Sequence, residues 1–312
     1  MNTPQPHLHR FVLPAWPNGL SAAQAQAHYE RVERVIHRLL EAGQNAPPLD
    51  DLAADAGLSP GHFQRVFTQW AGVSPKRFVQ FLGQRHAAEL LRQGATVLDA
   101  ALGAGLSGPG RLHDSLLTWQ AMTPGEVRAG GAGLTLQWGR AASLLGPAWL
   151  AWGPRGLCHL AFEPWDDTVS AEAIPAALAV DWPHATWQRD DSAAADWLAR
   201  VFGPTRAAPP DQPLALWLRG SPFQIKVWEA LLRIPPGQLM SYGALAQRIG
   251  QPQAQRAVGS ALAANRLACL IPCHRVIQGS ARIGQYRWGA ARKAALIGLE
   301  AAGAELVGAD AN

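Results

Sequence analysis

Cysteine is scarce in this chain: three residues in 312, Cys158, Cys269 and Cys273. A small odd number in a chain of this size argues against a disulfide framework and for a reducing compartment. Charge is thin as well, with 16% charged against 48% hydrophobic residues, which excludes a disordered chain and predicts globular domains. No run of about 18 apolar residues is present, so no transmembrane helix is expected. Met1 to Trp16 has no basic segment followed by an apolar core, so no secretory leader is expected and the chain reads as cytoplasmic. A net charge of +4 permits a polyanionic partner without requiring one.

Residues 1–27, with Pro4, Pro6, Pro14 and Pro17, read as a loose tail whose Ala-rich end begins a helix. From 28 to 129 the spacing is helical throughout. Tyr29, Val32, Val35, Ile36 and Leu39 share a helical face that stops before Pro47-Pro48. A short helix ends at Gly57, and Ser59-Pro60 then caps a helix carrying Phe63, Val66, Phe67 and Trp70 at i, i+3, i+4, i+7. Ser74-Pro75 caps the next one, which is expected to run to Gly94. The plan recurs: Ala101 stands four before Gly105 as Ala53 stands four before Gly57, and Thr123-Pro124 matches Ser74-Pro75. Such units fit either a small helical bundle or a helix-turn-helix that lays its second helix in the DNA major groove.

With Gly57-Leu58-Ser59-Pro60, Phe63-Gln64-Arg65-Val66-Phe67 and Gly72-Val73-Ser74-Pro75 in place, this segment resembles the AraC-type DNA-binding domain, two helix-turn-helix units joined by a long helix. The resemblance implies that His62, Gln64 and Arg65 face bases or phosphates. The second unit departs from the pattern. Asp114 stands where the family has Arg, and Ser115–Trp119 contains no Lys, leaving Arg111 and His113 as its polar face and predicting weak contact with phosphate.

Gly130-Gly131-Ala132-Gly133 reads as a flexible linker. Beyond it the period becomes that of strands: Leu134–Trp138, then Trp149–Trp152, a Gly153–Gly156 turn, and Leu157–Phe162. A helix from Ser192 to Phe202 and a strand through Leu214, Leu216 and Leu218 follow. Residues 134–213 read as an α+β support lobe in which Cys158 is core. Residues 214–303 read as a helical catalytic unit, and 304–312 as a tail.

The chain is organised around Leu270-Ile271-Pro272-Cys273-His274-Arg275-Val276-Ile277. An apolar run reaching a proline reads as the end of a buried strand that turns a thiol toward a cleft. A thiol attacks as thiolate, and His274 and Arg275 are residue types that favour that form. The dipeptide alone better fits a core cysteine beside an unrelated histidine, and it is the surroundings that change the reading. Arg256–Asn265 forms a helix that Ala257, Gly259 and Ala261 leave nearly bare on one side, fitting close approach to another helix or to the floor of a DNA groove. Cys269 and Cys273 lack further ligands at metal-binding spacing.

Phe223-Gln224-x-x-Val227-Trp228, Ile234-Pro235-x-Gly237, Ser241-Tyr242, Arg256-Ala257-Val258-Gly259 and Pro272-Cys273-His274-Arg275-Val276 together resemble the O6-alkylguanine-DNA alkyltransferases, over about residues 220–303. An AraC-type half joined to such a half resembles the Ada-type response proteins. The implied fold is multidomain: an all-α double helix-turn-helix domain, the α+β lobe, and an α-rich alkyltransferase domain with its own helix-turn-helix. The implied reaction is single-turnover transfer of methyl from O6-methylguanine, and O4-methylthymine, in flipped-out bases to Cys273, with no cofactor and no metal. The resemblance assigns His274 as base through a water, Glu300 as its orienter, Tyr242 as proton donor and phosphate contact, and Asn265 as brace of the turn. It assigns Arg256, Ala257, Gly259 and Arg275 to DNA, and Val276, Gly284, Tyr286 and Trp288 to the guanine pocket. The bulk of Trp288 predicts poor reaction with O6-benzyl groups. Implied partners are double-stranded alkylated DNA and, for a regulator, promoter DNA and RNA polymerase, with the chain a monomer that touches no membrane. Because no cysteine precedes Cys158, the four-cysteine zinc module of Ada-type sensors is expected to be missing. A transcription factor that uses the transferase half as sensor is the rival reading.

Overall fold

The computed structural model describes residues 7–14, 19–42, 47–83, 112–163, 176–202 and 213–309. Strand β1 (His7–Pro14) precedes helices α1 (Ala22–Ala42), α2 (Leu49–Asp55), α3 (Pro60–Ala71) and α4 (Pro75–Leu82). The caps sit where sequence places them. Ser74 Oγ accepts from Arg77 N at 3.3 Å, Pro60 and Pro75 open their helices, and Gly72 at φ 84° ends α3 in the left-handed conformation. Helices α2 and α3, joined through Gly57 at φ 68°, form the first helix-turn-helix. The expected extension of α4 to Gly94, the Ala101–Gly105 turn and Arg111 lie outside the described residues.

Two expectations for this half are overturned. His7–Pro14 is strand, not loose tail, and residues 112–121, expected as the second recognition helix, form strand β2 (Leu112–Ala121). Strand β2 pairs antiparallel with β1 (Val12 with Asp114) and parallel with β7 (Leu214–Leu218; Leu117 with Leu214). The physical reason is long-range: β7 would otherwise offer an unpaired edge, and ladder hydrogen bonds on both sides of β2 outweigh a weak helical pattern containing Thr118 and Trp119, which favour strand. Helix α5 (Pro124–Ala129) follows, with a Thr123/Glu126 capping box.

Gly130–Gly133 is a tight turn, not a flexible linker. Gly130, Gly131 and Gly133 all have positive φ, His184 N donates to Gly130 O at 2.9 Å, and a Cβ on Gly131 would lie 2.8 Å from that of Ala185. Strands β3 (Thr135–Ser143), β4 (Gly146–Gly153) and β5 (Gly156–Phe162), helix α6 (Ala176–Asp181), β6 (Thr186–Arg189) and α7 (Asp191–Phe202) then build the lobe. The seven-stranded sheet runs β1-β2-β7-β5-β4-β3-β6, so 214–218 belongs with the lobe's sheet and not with the helices that follow. Cys158 is buried in β5 as expected.

The C-terminal part comprises α8 (Pro222–Leu232), the two-residue strand β8 (Met240–Ser241), α9 (Tyr242–Arg248), α10 (Gln255–Ala263), a 3-10 turn at Cys273–Arg275, strand β9 (Val276–Ile277) and α11 (Ala290–Ala309). One apolar core spans both halves, from Tyr29, Trp70 and Phe78 to Leu296. Trp70 Nε1 donates to Leu144 O at 3.1 Å, and Phe78 fills a notch at Gly298, where a Cβ would stand 2.2 Å from the ring.

Candidate active site

The apolar run before Cys273 is buried but is not strand. Leu267 makes only an isolated bridge to Leu160, and Cys269 adopts φ 63°. The Asn265 amide explains this conformation. Its Nδ2 donates to Leu267 O (3.3 Å), Ile271 O (3.0 Å) and Cys273 Sγ (3.3 Å), while its Oδ1 accepts from Leu267 N (2.9 Å). A side chain thus satisfies backbone groups that a partner strand would otherwise pair, and the segment curls to present Cys273 at the start of the 3-10 turn.

Cys273 is 4% exposed. Burial pushes its thiol up, while the Asn265 amide and the Lys293 charge oppose that rise, so the resting sulfur is a thiol that needs a base. The adjacent His274 supplies the type of group required. Its Nε2 lies 2.9 Å from Glu300 Oε1, and its Nδ1 is buried with no hydrogen-bond partner. Burial pulls His274 down and Glu300 pushes back, which keeps a neutral imidazole with one nitrogen free.

Glu300, on α11, is fully enclosed. Burial opposes its ionisation, but Arg275 and His274 hold its carboxyl down to about 2. Arg275 donates from Nε to both carboxylate oxygens (3.2 and 3.0 Å) and from Nη2 to Oε1 (2.8 Å), and its Nη1 donates to Ile234 O. Gly237 N donates to Glu300 Oε2 at 3.2 Å. The Ile234-Pro235-x-Gly237 turn is therefore the seat of this pair. Arg275 is 1% exposed, so its expected contact with DNA is corrected: an enclosed carboxylate requires an ionic partner, and the guanidinium turns inward to supply it.

Tyr242 opens α9 behind the Ser241 cap and is half-buried, and burial raises its hydroxyl. A Cβ on Gly259 would lie 3.9 Å from its ring, so the bare side of α10 runs beside Tyr242. Arg256 and Ala257 are exposed on α10 and Gly259 is partly so. Trp228 Nε1 fixes this helix by donating to Ala261 O at 2.9 Å. Tyr286 and Trp288 meet edge to face at 5.1 Å, after a turn that needs Gly284 at φ 70°. Val276 is buried beside the turn through its pairing with Met240. His62, Gln64 and Arg65 are exposed together on α3, in the other half of the molecule.

Sequence reasoning missed Lys293. This residue is buried on α11, and its Nζ donates to Val276 O (2.6 Å) and Gln285 O (3.4 Å), tying the end of the Cys273–Arg275 turn to the loop that leads to Tyr286 and Trp288. Burial lowers its ammonium to about 8. The available signal was a cation inside the otherwise apolar stretch Ala290–Leu299, which also holds Arg292.

The family model described as the DNA-binding domain of 6-O-methylguanine DNA methyltransferase matches residues 222–302, and a helix-turn-helix domain model matches 52–130. The bifunctional transcriptional activator/DNA repair enzyme Ada of Escherichia coli K12 is 35% identical over 289 residues, which cover 89% of this chain and 77% of the relative. The chain belongs to the Ada family. The regulatory protein ada of Salmonella typhimurium is 34% identical over 280 residues, with the same shares of the two chains. A methylated-DNA–protein-cysteine methyltransferase of Mycobacterium bovis is 52% identical over 83 residues, 27% of this chain and 50% of that one. This Ada-family protein is a methylated-DNA–protein-cysteine methyltransferase joined to an AraC-type helix-turn-helix half. The first match contains every residue of the enclosed cluster, from Ile234 to Glu300, and the second runs through β2.

Proposed function

We propose that Cys273 is the methyl acceptor in a single-turnover repair reaction on flipped O6-methylguanine, and that the residues around it divide the work as follows. Extrusion of the base costs a few kcal/mol of stacking, and Arg256 at the exposed start of α10 fills the gap while the bare side of that helix lies in the minor groove. The base enters between Tyr242 and the Tyr286–Trp288 wall, with backbone groups of Val276 and the Gly284–Trp288 loop reading its edge. His274 Nδ1 takes the thiol proton through a water, Glu300 orients the ring and stabilises its cationic form, and Arg275 holds Glu300. The sulfur attacks the methyl carbon, the C–O6 bond breaks, and Tyr242 gives a proton to guanine N3 as charge develops there. His274 returns the thiol proton to Tyr242, so methyl and proton simply exchange places between protein and base. The thioether is stable, and each molecule acts once.

The observation that supports this most is how the Cys273-His274 dipeptide is held from both sides: Asn265 donates to the Cys273 sulfur, His274 bonds the Glu300 that Arg275 holds, and the buried His274 Nδ1 is left without a hydrogen-bond partner. The test is methyl transfer from a lesion-bearing duplex, followed by mass spectrometry of the Cys273 peptide. A gain of one CH2 is expected in wild type and none in a folded Cys273→Ala protein. Transfer that survives this substitution overturns the assignment.

The exposed row His62, Gln64 and Arg65 on α3 supports a second activity, sequence-specific binding to promoter DNA with regulation through RNA polymerase. The monomer is the acting unit in both. A mobility shift of the full chain on promoter and random duplexes decides it: equal affinity for both sinks the regulatory reading.

A further inference from the structure

Helix α1 of the helical half brings a buried carboxylate against the start of α11. Glu33 of α1 is buried, its Oε1 accepts from the Tyr29 hydroxyl at 2.9 Å, and its Oε2 has no hydrogen-bond partner. Arg292, equally buried at the start of α11, has Nη1 3.9 Å from Glu33 Oε1. The same guanidinium donates from Nε to Leu145 O in the β3–β4 turn (2.9 Å) and from Nη1 to Trp288 O on the pocket wall (3.2 Å). Tyr29 and Phe162 stack over it at 5.8 and 5.5 Å. Gly146, at φ 96°, leaves the space it occupies: a Cβ there would stand 3.2 Å from Nη2. One buried cation therefore joins α1, the support lobe and the loop that carries Trp288, and its charge is balanced from the helix-turn-helix half.

We infer that Glu33 and Tyr29 are positioning residues for methyl transfer, holding Arg292 so that the Tyr286–Trp288 wall keeps its shape. The helical half then completes the active-site scaffold as well as binding DNA. A buried guanidinium without its carboxylate repacks toward water or toward other carbonyls, and Trp288 O is one of the two it would release. The inference rests on the reading that Tyr286 and Trp288 wall the guanine pocket.

The test compares the full chain with Glu33→Gln, which keeps shape and removes charge, and Tyr29→Phe, which removes one hydroxyl. Single-turnover rates are measured on an O6-methylguanine duplex and on free O6-benzylguanine. Transfer from the duplex should fall by about three- to ten-fold, the span over which indirect contacts act, while the benzyl-to-methyl ratio rises as the wall loosens. A merely structural role lowers both rates together, in line with the folded fraction, and leaves the ratio fixed; that outcome overturns the inference, as do wild-type rates and ratio in folded variants. Should Glu33→Gln fail to fold, Tyr29→Phe decides by the same ratio. Absence of alkylated Cys273 in wild type would overturn the proposed reaction itself, which keeps the two failures distinct.

Discussion

Replacing Glu300 by Gln removes one charge and almost no volume, and its consequences can be worked through group by group. Arg275 loses the carboxylate it is paired with while 1% exposed, and stranding a buried charge costs about 3–5 kcal/mol. An ordinary carboxyl at 4.5 against one held at about 2 corresponds to roughly 3 kcal/mol. Because the folded value is the lower, this stabilisation is present above about 4.5 and is lost as pH falls from there toward 2. Glu300→Gln should therefore unfold at lower urea at neutral pH and should lack the wild-type loss of stability across that acid window. Chemistry suffers too, since Glu300 is what raises the basicity of His274 against burial. Methyl transfer by the folded variant should slow by about 10²- to 10⁴-fold, the usual worth of general-base assistance. Urea unfolding across pH and single-turnover transfer in the cold measure the two effects separately. A variant with the wild-type urea midpoint and the wild-type rate would refute the reasoning.

Lys293→Met removes an ammonium that burial holds at about 8 against an ordinary 10.5. Wild-type stability should rise with pH between those values, as the unfolded chain keeps a proton the native one has released, and urea titration of the variant should show no such rise; transfer should slow several-fold with the loss of the bonds to Val276 and Gln285. Trp288→Gly should raise reaction with O6-benzylguanine by more than about ten-fold, given what one extra group in a tight pocket costs, and unchanged benzyl kinetics would remove Trp288 from the wall. Gly131→Val should destabilise by about 2–4 kcal/mol, from strain at φ 86° and collision with Ala185; wild-type thermal stability would mean the segment is free to move.

The parts legible in the sequence are those written in near neighbours. Ser74, Thr123, Ser221 and Ser241 each stand where a helix begins, and in each case the hydroxyl accepts from a backbone N–H three residues on. The Cys273-His274 pair stood out through its motif, and Glu300 came in only through the family resemblance; the structure puts it 2.9 Å from His274 Nε2. What local pattern could not carry was choice of partner across the chain. Whether 112–121 coils or extends is decided by β7, about a hundred residues later. Arg275 reads as a surface cation until an enclosed carboxylate 25 residues on claims it. Four small residues at 130–133 read as slack until Pro183 and Ala185 close around them. Cys269 took a left-handed conformation because Asn265, not a strand, meets the backbone needs of its segment.

Strand β2 has a consequence for where this molecule can be divided. By position it lies in the half that binds through helices, and one side of it pairs with β1 there, yet its other side is hydrogen-bonded to β7 of the other half. Cutting at the glycines just beyond it would strip β7 of its neighbour and leave a row of free amides and carbonyls along an apolar strand, an invitation to self-association. A soluble, repair-competent fragment should therefore begin before residue 112 and not after 133.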